Sequence, residues 1–376
     1  MTDPVLIIGG GIAGLALARA LHRHDIAFTL HERREHAADA GLAVNLPGNA
    51  ITALHRTGLG EEIAAAAYPV LRREYRTATG RLLFQVDERA FWGADAQPRC
   101  ARRADLHRML RAGLPEGTVH EGAGVTAVRQ DAGGAEIDLD DGSTVRGSLV
   151  VGADGVRSTV RRAAFGDDGI RAALLSAASF RFMAPNPGVD CWAAWAGTHG
   201  NVLLIPVSDD EVYGFATAAR GGPTAPDPAW LAETFAGFPE PVRQTVKAVT
   251  ADPAALYHSP IEEVRVTRWA QGRAVLIGDA AHATAPIWAQ GAALALEDAE
   301  VLAGLLAAGA GPVAAAAEFE RVRRLRVTHV QTQTDRFSRT AALPGWLRAV
   351  TAPLAGKASY RAAYGPLREW PGTPGR

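Results

Sequence analysis

Lysine is almost absent from this 376-residue chain: it occurs at Lys247 and Lys357, and arginine carries the rest of the positive charge. That skew fits a GC-rich coding bias better than a function. Net charge is scarce too, at −1 with a pI near 6.8, which argues against nucleic acid or an anionic membrane as partner. Cysteine is rare. Cys100 and Cys191 form no metal or redox spacing, so they read as free thiols of a reducing compartment, with a single disulfide left open. No basic segment precedes an apolar one at the N-terminus, so no signal peptide is expected. The longest apolar stretch, around 301–317, is Ala- and Gly-rich and is broken at Gly311-Pro312; it is too weak for a membrane span. A soluble, cytoplasmic protein is expected. With 48% hydrophobic residues the chain can bury a large core in two or three units.

What the chain does have in quantity is glycine, and its placement is informative. Val5-Leu6-Ile7-Ile8 reads as a buried parallel strand. Gly9-Gly10-Gly11-Ile12-Ala13-Gly14 follows at once, fitting G-x-G-x-x-G at Gly9, Gly11 and Gly14. A helix is expected over 15–24 and a second strand over 27–31, with Glu32 at its end. Gly9 permits the tight turn, Gly11 lets backbone approach a pyrophosphate, and Gly14 lets helix and strand pack closely. The helix N-terminus offers free N–H groups to phosphates, and Glu32 can accept from both ribose hydroxyls. Glu32 would repel a 2′-phosphate, which disfavours NADP. The fingerprint by itself leaves NAD and FAD both open. Degenerate copies near Gly122 and Gly309 lack the strand–helix context.

Two further motifs separate the alternatives. Leu149–Gly152 reads as a strand and runs into Ala153-Asp154-Gly155. A second strand, Ala274–Ile277, runs into Gly278-Asp279-Ala280-Ala281-His282, then Pro286, Gln290-Gly291 and a long apolar helix over 292–308. With the opening glycine motif and Arg103-Ala104-Asp105-Leu106, these resemble, in order, the signatures of the single-component FAD-dependent aromatic hydroxylases of the p-hydroxybenzoate hydroxylase-like family. The resemblance covers most of residues 1–340.

That resemblance implies an α/β fold: a Rossmann-like FAD-binding domain (1–70, 98–169 and 268–300), an inserted antiparallel β-sheet substrate domain (71–97 and 170–267) and a C-terminal helical region (301–376). It implies that Gly9, Gly11, Ile12, Ala13, Gly14, Glu32 and Arg33 bind the ADP half of FAD. Arg103 would reach the cofactor's middle, Asp154 would steady the pyrophosphate region, and Asp279 would bind the ribityl chain. Pro286 would line the flavin's reactive face, and the helix start at Gly291 and Ala292 would face its N1–C2=O edge, where the dipole favours reduced, anionic flavin. The family often has Gly where this chain has Ala289, which adds a methyl where backbone and flavin would approach closely.

The implied activity is a monooxygenase that consumes NADH or NADPH and O2 and hydroxylates a small aromatic or polycyclic, phenol-like substrate through a flavin C4a-hydroperoxide. Epoxidation, oxygen insertion beside a ketone, and reductase or non-redox cyclase chemistry occur on the same scaffold. The halogenase motif Trp-x-Trp-x-Ile-Pro is absent, as is room for a thioredoxin-like C-terminal domain. No metal-ligand spacing and no catalytic residue stand out, because the cofactor carries the chemistry. His282 belongs to the cofactor motif rather than to acid–base work. For the substrate pocket, Tyr213 and Phe215 share one face of a strand, though a plain core pair reads equally well. Trp288 follows Pro286 closely and is assigned to the pocket. Arg181 is a candidate for a carboxylate or phenolate, against a solvated strand arginine. Trp192 and Trp195 fall on opposite faces, so at most one faces the pocket. The chain is a monomer or a homodimer, with no nucleic-acid or membrane partner.

Overall fold

The computed structural model describes residues 3–35, 42–166, 169–173, 176–223, 225–341 and 345–371. The strand Val5–Ile8 is central in a six-stranded sheet and buried at all four positions. Leu149–Gly152 pairs parallel on one side of it, and Phe28–Glu32 on the other. Ala274–Leu276 and Val119–Glu121 extend the parallel set outward, and Ala270–Gln271 closes one edge antiparallel. Strands covered on both faces are continuously apolar, as Val5–Ile8, Leu149–Gly152 and Ala274–Leu276 are. The helix Ile12–Arg23 starts earlier than the 15–24 expected from the sequence, directly after Gly11.

A seven-stranded sheet forms the second layer. Its order is Tyr257–Pro260, Ala178–Pro185, Glu211–Ala218, Gly200–Pro206, Trp192–Ala196, Arg72–Thr77 and Leu82–Asp87. The expectation of an antiparallel sheet needs one correction: Arg72–Thr77 runs parallel to Trp192–Ala196. These strands come from distant parts of the chain, so no short hairpin dictates their direction.

Alternation along the strands gives the sheet two different faces. Phe180, Phe182, Val202, Leu204, Val212, Ala216 and Trp195 pack under two helices, Pro228–Phe235 and Glu240–Thr250. The β-rich reading of 170–267 did not include these helices. The opposite face carries Tyr75, Met183, Trp192, Leu203, Ile205 and Tyr213, packed against Ala43, Val70 and Cys100. Ala43 and Cys100 belong to a small three-stranded sheet, Ala43–Leu46, Arg99–Arg102 and Tyr68–Pro69.

Three long helices complete the fold. Gln290–Ala307 lies against Ile12–Arg23, Pro312–Ala341 packs on it, and Gly345–Tyr364 crosses the strand Leu82–Asp87. Among the described residues no helix is long and apolar enough to cross a membrane, and no cluster of three or more His, Cys, Asp or Glu is suited to a metal ion. Cys100 and Cys191 are free and buried.

Candidate cofactor and substrate site

The glycine turn is built around contacts that no side chain tolerates. Gly9 has φ +108°, and a Cβ there would fall 2.5 Å from the Ala153 carbonyl oxygen. A Cβ on Gly14 would fall 1.9 Å from the Gly9 carbonyl oxygen. Gly11 is the opposite case, since a Cβ there meets nothing within 4 Å. Open space at Gly11, next to a helix that begins with no side-chain cap and no acidic residue, leaves the first-turn N–H groups of Ile12, Ala13 and Gly14 free to meet an anion. Glu32 braces this turn. Its Oε2 accepts from the Gly10 N–H at 2.6 Å and its Oε1 from the Arg34 N–H at 3.0 Å. Each oxygen keeps a second acceptor site. Arg33 is exposed beside it.

The other two motifs sit at the same edge of the sheet. Asp154 is close behind Gly9, and its Oδ2 accepts from the Thr159 and Val160 amides at 2.7 and 3.2 Å. Its Oδ1 is buried without a partner. Burial pushes this carboxyl above its ordinary value, and the hydrogen bonds from Ser158 and the helix amides oppose the shift. Gly278, at φ +57°, is wedged between two helices. A Cβ there would fall 2.9 Å from the Ala13 Cβ and 3.4 Å from the Ala295 Cβ. This close packing places the first turns of both helices at one sheet edge. The longer helix also starts without a side-chain cap, because Ala289 precedes it in the left-handed region at φ +52°. Asp279 is exposed, with its Oδ1 3.8 Å from where a Gly291 Cβ would lie. Ala292 follows in the same first turn, and Pro286 is exposed on the short helical turn before it.

The seven-stranded sheet supplies a second surface. Tyr75, Ala194, Leu203, Phe215 and Arg181 form one cross-strand row. Arg73 faces Trp192 in the neighbouring row, and Tyr213 stands between Ile205 and Met183. Tyr213 and Phe215 therefore share a face, as the alternation requires. The Arg181 guanidinium carbon lies 5.8 Å from the Phe215 ring centre, and its Nε is buried without a partner. Burial pushes the Tyr213 phenol up to about 12, and the positive charges of Arg181 and Arg103 work against that shift. Arg103 is exposed at the start of the helix Arg103–Arg111. Trp288 is 6% exposed, edge-on to Phe337 at 5.4 Å and to Tyr364 at 5.7 Å. The indole N–H groups of Trp288 and Trp192 both lack a partner.

The family model for the FAD binding domain matches residues 2–335. The chain belongs to this family. It is therefore an FAD-dependent monooxygenase of the single-component aromatic hydroxylase group. It is 31% identical over 347 residues to the 3-amino-4-hydroxybenzoate 2-monooxygenase of Streptomyces platensis, covering 88% of this chain and 86% of that protein. It is 32% identical over 311 residues to the 2-heptyl-3-hydroxy-4(1H)-quinolone synthase of Pseudomonas aeruginosa, covering 80% of each. Klebsiella pneumoniae HpxO, solved with FAD and uric acid, superposes with a TM-score of 0.79 at 25% identity, covering 97% of this chain and 92% of that one.

Beneath Gly278 and His282 lies a buried charged network that no sequence motif marks. Asp298, on the long helix, accepts from the Gly278 N–H at 2.8 Å, bonds His282 Nε2 at 2.7 Å and accepts from Arg323 Nε at 2.7 Å. Its neighbour Glu297 accepts from Arg323 Nη1 at 2.7 Å, Arg326 Nη2 at 2.6 Å and Asn49 Nδ2 at 2.9 Å. Asn49 and Gln290 bond each other. Both carboxylates are fully buried. Burial alone would raise them, but the Arg323 charge, with His282 for Asp298 and Arg326 for Glu297, outweighs it and holds both below their ordinary values. His282 is thereby committed to Asp298. One signal was available: three acidic residues, Glu297, Asp298 and Glu300, within an Ala- and Leu-rich helix, followed by an Arg-rich one.

Proposed function

We propose that this monooxygenase hydroxylates an oxygen-bearing aromatic or polycyclic small molecule, consuming one O2 and one NADH or NADPH. In balanced form, substrate C–H, O2, NAD(P)H and a proton give substrate C–OH, water and NAD(P)+. The supporting observation is the pair of uncapped helix starts, at Ile12 and Gln290, drawn to one sheet edge by Gly278 between Ala13 and Ala295.

Bound FAD supplies electron acceptance from the nicotinamide and delivery of those electrons to O2. The chain's residues hold it and shape what surrounds it. The amides of Ile12, Ala13 and Gly14 would face its phosphates across Gly11, and Glu32, with Arg33 nearby, would take its adenosine ribose. Arg103 and Asp154 would flank its middle, and Asp279 would accept from its ribityl hydroxyls. Gly291 and Ala292 would present N–H groups and the positive helix end to the ring edge that becomes negative on reduction. Pro286 would cover the reactive face.

On the opposing sheet, Phe215 and Tyr213 offer flat apolar contact to an aromatic ring. The unpartnered N–H groups there, Arg181 Nε and Trp192 Nε1, are all donors. A pocket wall with spare donors selects a substrate with acceptors, such as a phenolate, carboxylate or ring carbonyl. The relatives named for hydroxybenzoate and quinolone chemistry are consistent with that choice.

The test is a screen of hydroxylated aromatics and polycyclic phenols for stimulated NAD(P)H oxidation under labelled O2. The proposal expects a product heavier by one labelled oxygen atom. Turnover that persists without O2, or product without label, contradicts it.

A further inference from the structure

The C-terminal helix Gly345–Tyr364 delivers two tyrosines, one turn apart, into the interior. Tyr360 donates to Glu88 Oε1 at 2.8 Å and accepts from Trp92 Nε1 at 3.2 Å. Tyr364 donates to the Trp288 carbonyl at 2.6 Å and accepts from Arg73 Nη1 at 3.0 Å. Arg73 Nε in turn lies 2.7 Å from Glu88 Oε1. Arg73, Glu88, Tyr360 and Tyr364 are each at most 2% exposed. A buried ion pair laced with phenols is no more stabilising than an apolar cluster of equal volume; what such a network adds is fixed geometry.

The ends of this network matter. Arg73 belongs to the seven-stranded sheet, and its guanidinium carbon lies 5.0 Å from the Trp192 ring centre on the face opposite the helices. The Trp288 carbonyl immediately precedes Ala289, whose φ of +52° is costly for a residue with a Cβ. The next residue, Gln290, opens the helix assigned to the flavin edge. Tyr364 is thus the one hydroxyl, among the described residues, that bridges the sheet's arginine and the strained turn.

We propose that Tyr364 is a positioning residue. It clamps the Pro286–Gln290 turn to the substrate sheet through Arg73, and so fixes the spacing between the cofactor's ring seat and the pocket floor. The consequence for FAD rests on the cofactor reading above, whereas the clamp on the turn does not.

Tyr364→Phe removes the hydroxyl and keeps the ring, which sits 4.6 Å from Tyr360 and 5.7 Å from Trp92 and Trp288. Amide exchange in the FAD-free protein should rise tenfold or more across 293–296, the first amides bonded intrahelically, to the 289–292 carbonyls, with the helix Glu240–Thr250 unchanged. Tyr360→Phe leaves the Trp288 carbonyl bonded and should leave that turn near wild type. In the FAD-loaded enzyme, Tyr364→Phe should lower the share of consumed NAD(P)H recovered as hydroxylated product at least twofold, with peroxide making up the difference. In the unmodified protein, the 293–296 amides and those of the last turn before Tyr364 should become exchangeable at the same denaturant concentration. Unchanged exchange at the turn in Tyr364→Phe, an equal rise across the whole chain, or separate opening of turn and helix in the unmodified protein overturns the clamp. Faster exchange with unaltered coupling overturns only the step from clamp to cofactor.

Discussion

Replacing Asp298 with Asn tests the idea that a buried charge network holds the FAD-site backbone in place. The carboxylate meets three donors: the Gly278 amide, His282 Nε2 and Arg323 Nε. An amide of the same shape has one acceptor oxygen, and its NH2 group must face one of those donors. Arg323 keeps Glu297 but loses half of its neutralisation while fully buried. Breaking a buried ion pair from one side costs about 3–5 kcal/mol. At an unfolding entropy of about 2.1 cal/mol/K per residue, a chain of 376 residues loses roughly 5 °C of Tm for about 4 kcal/mol. The Gly278 amide is also released, so the Ala13–Gly278–Ala295 wedge loosens, and FAD affinity should fall about tenfold, roughly 1.4 kcal/mol. Differential scanning calorimetry of FAD-free protein and a fluorescence titration with FAD measure the two effects separately. A Tm change below 1 °C with unaltered affinity would refute the reasoning.

The same network sets an acid limit. Asp298 and Glu297 are held below their ordinary values of 3.8 and 4.5, so their contribution is complete above those values and is lost as pH falls through the lower folded ones. The wild-type Tm should therefore drop more steeply with acid below about pH 4 than that of Asp298→Asn, and parallel curves would contradict this. At Ala289 the left-handed φ of +52° predicts the order Gly, Ala, Val in stability. Ala289→Gly should gain up to about 1 kcal/mol once unfolded-state entropy is subtracted, and Ala289→Val should lose more than that. Thermal melts that reverse the order would show the turn is unstrained.

What the sequence made legible was local. Gly9, Gly11, Gly14 and Glu32 act through a turn, a helix start and a strand end that are close in the chain, so spacing alone exposes them. Gly278 and Asp279 read the same way, because a strand and its following turn are contiguous. Tyr213 and Phe215 share a face because strand period is fixed at two. The rest needed the fold. Arg73, Glu88, Tyr360 and Tyr364 lie up to 291 positions apart, and no periodicity links a strand arginine to a C-terminal tyrosine. Trp288 shows the limit clearly. Its closeness to Pro286 suggested a pocket role, and the structure packs its ring edge-on to Phe337 and Tyr364, which only helix packing brings near. The helices over the sheet were missed because Pro228–Phe235 and Glu240–Thr250 are short and lie within a β-rich stretch.

The FAD cradle itself is tested most directly at Gly11. A methyl group added there touches no protein atom within 4 Å, so Gly11→Ala should leave the Tm of the FAD-free protein within about 1 °C. The same methyl would occupy the space through which a phosphate reaches the amides of Ile12, Ala13 and Gly14. FAD titration should then show a dissociation constant raised at least tenfold, about 1.4 kcal/mol or more. A Gly11→Ala protein that folds normally and binds FAD as tightly as the wild type would contradict the placement of the cofactor on this turn.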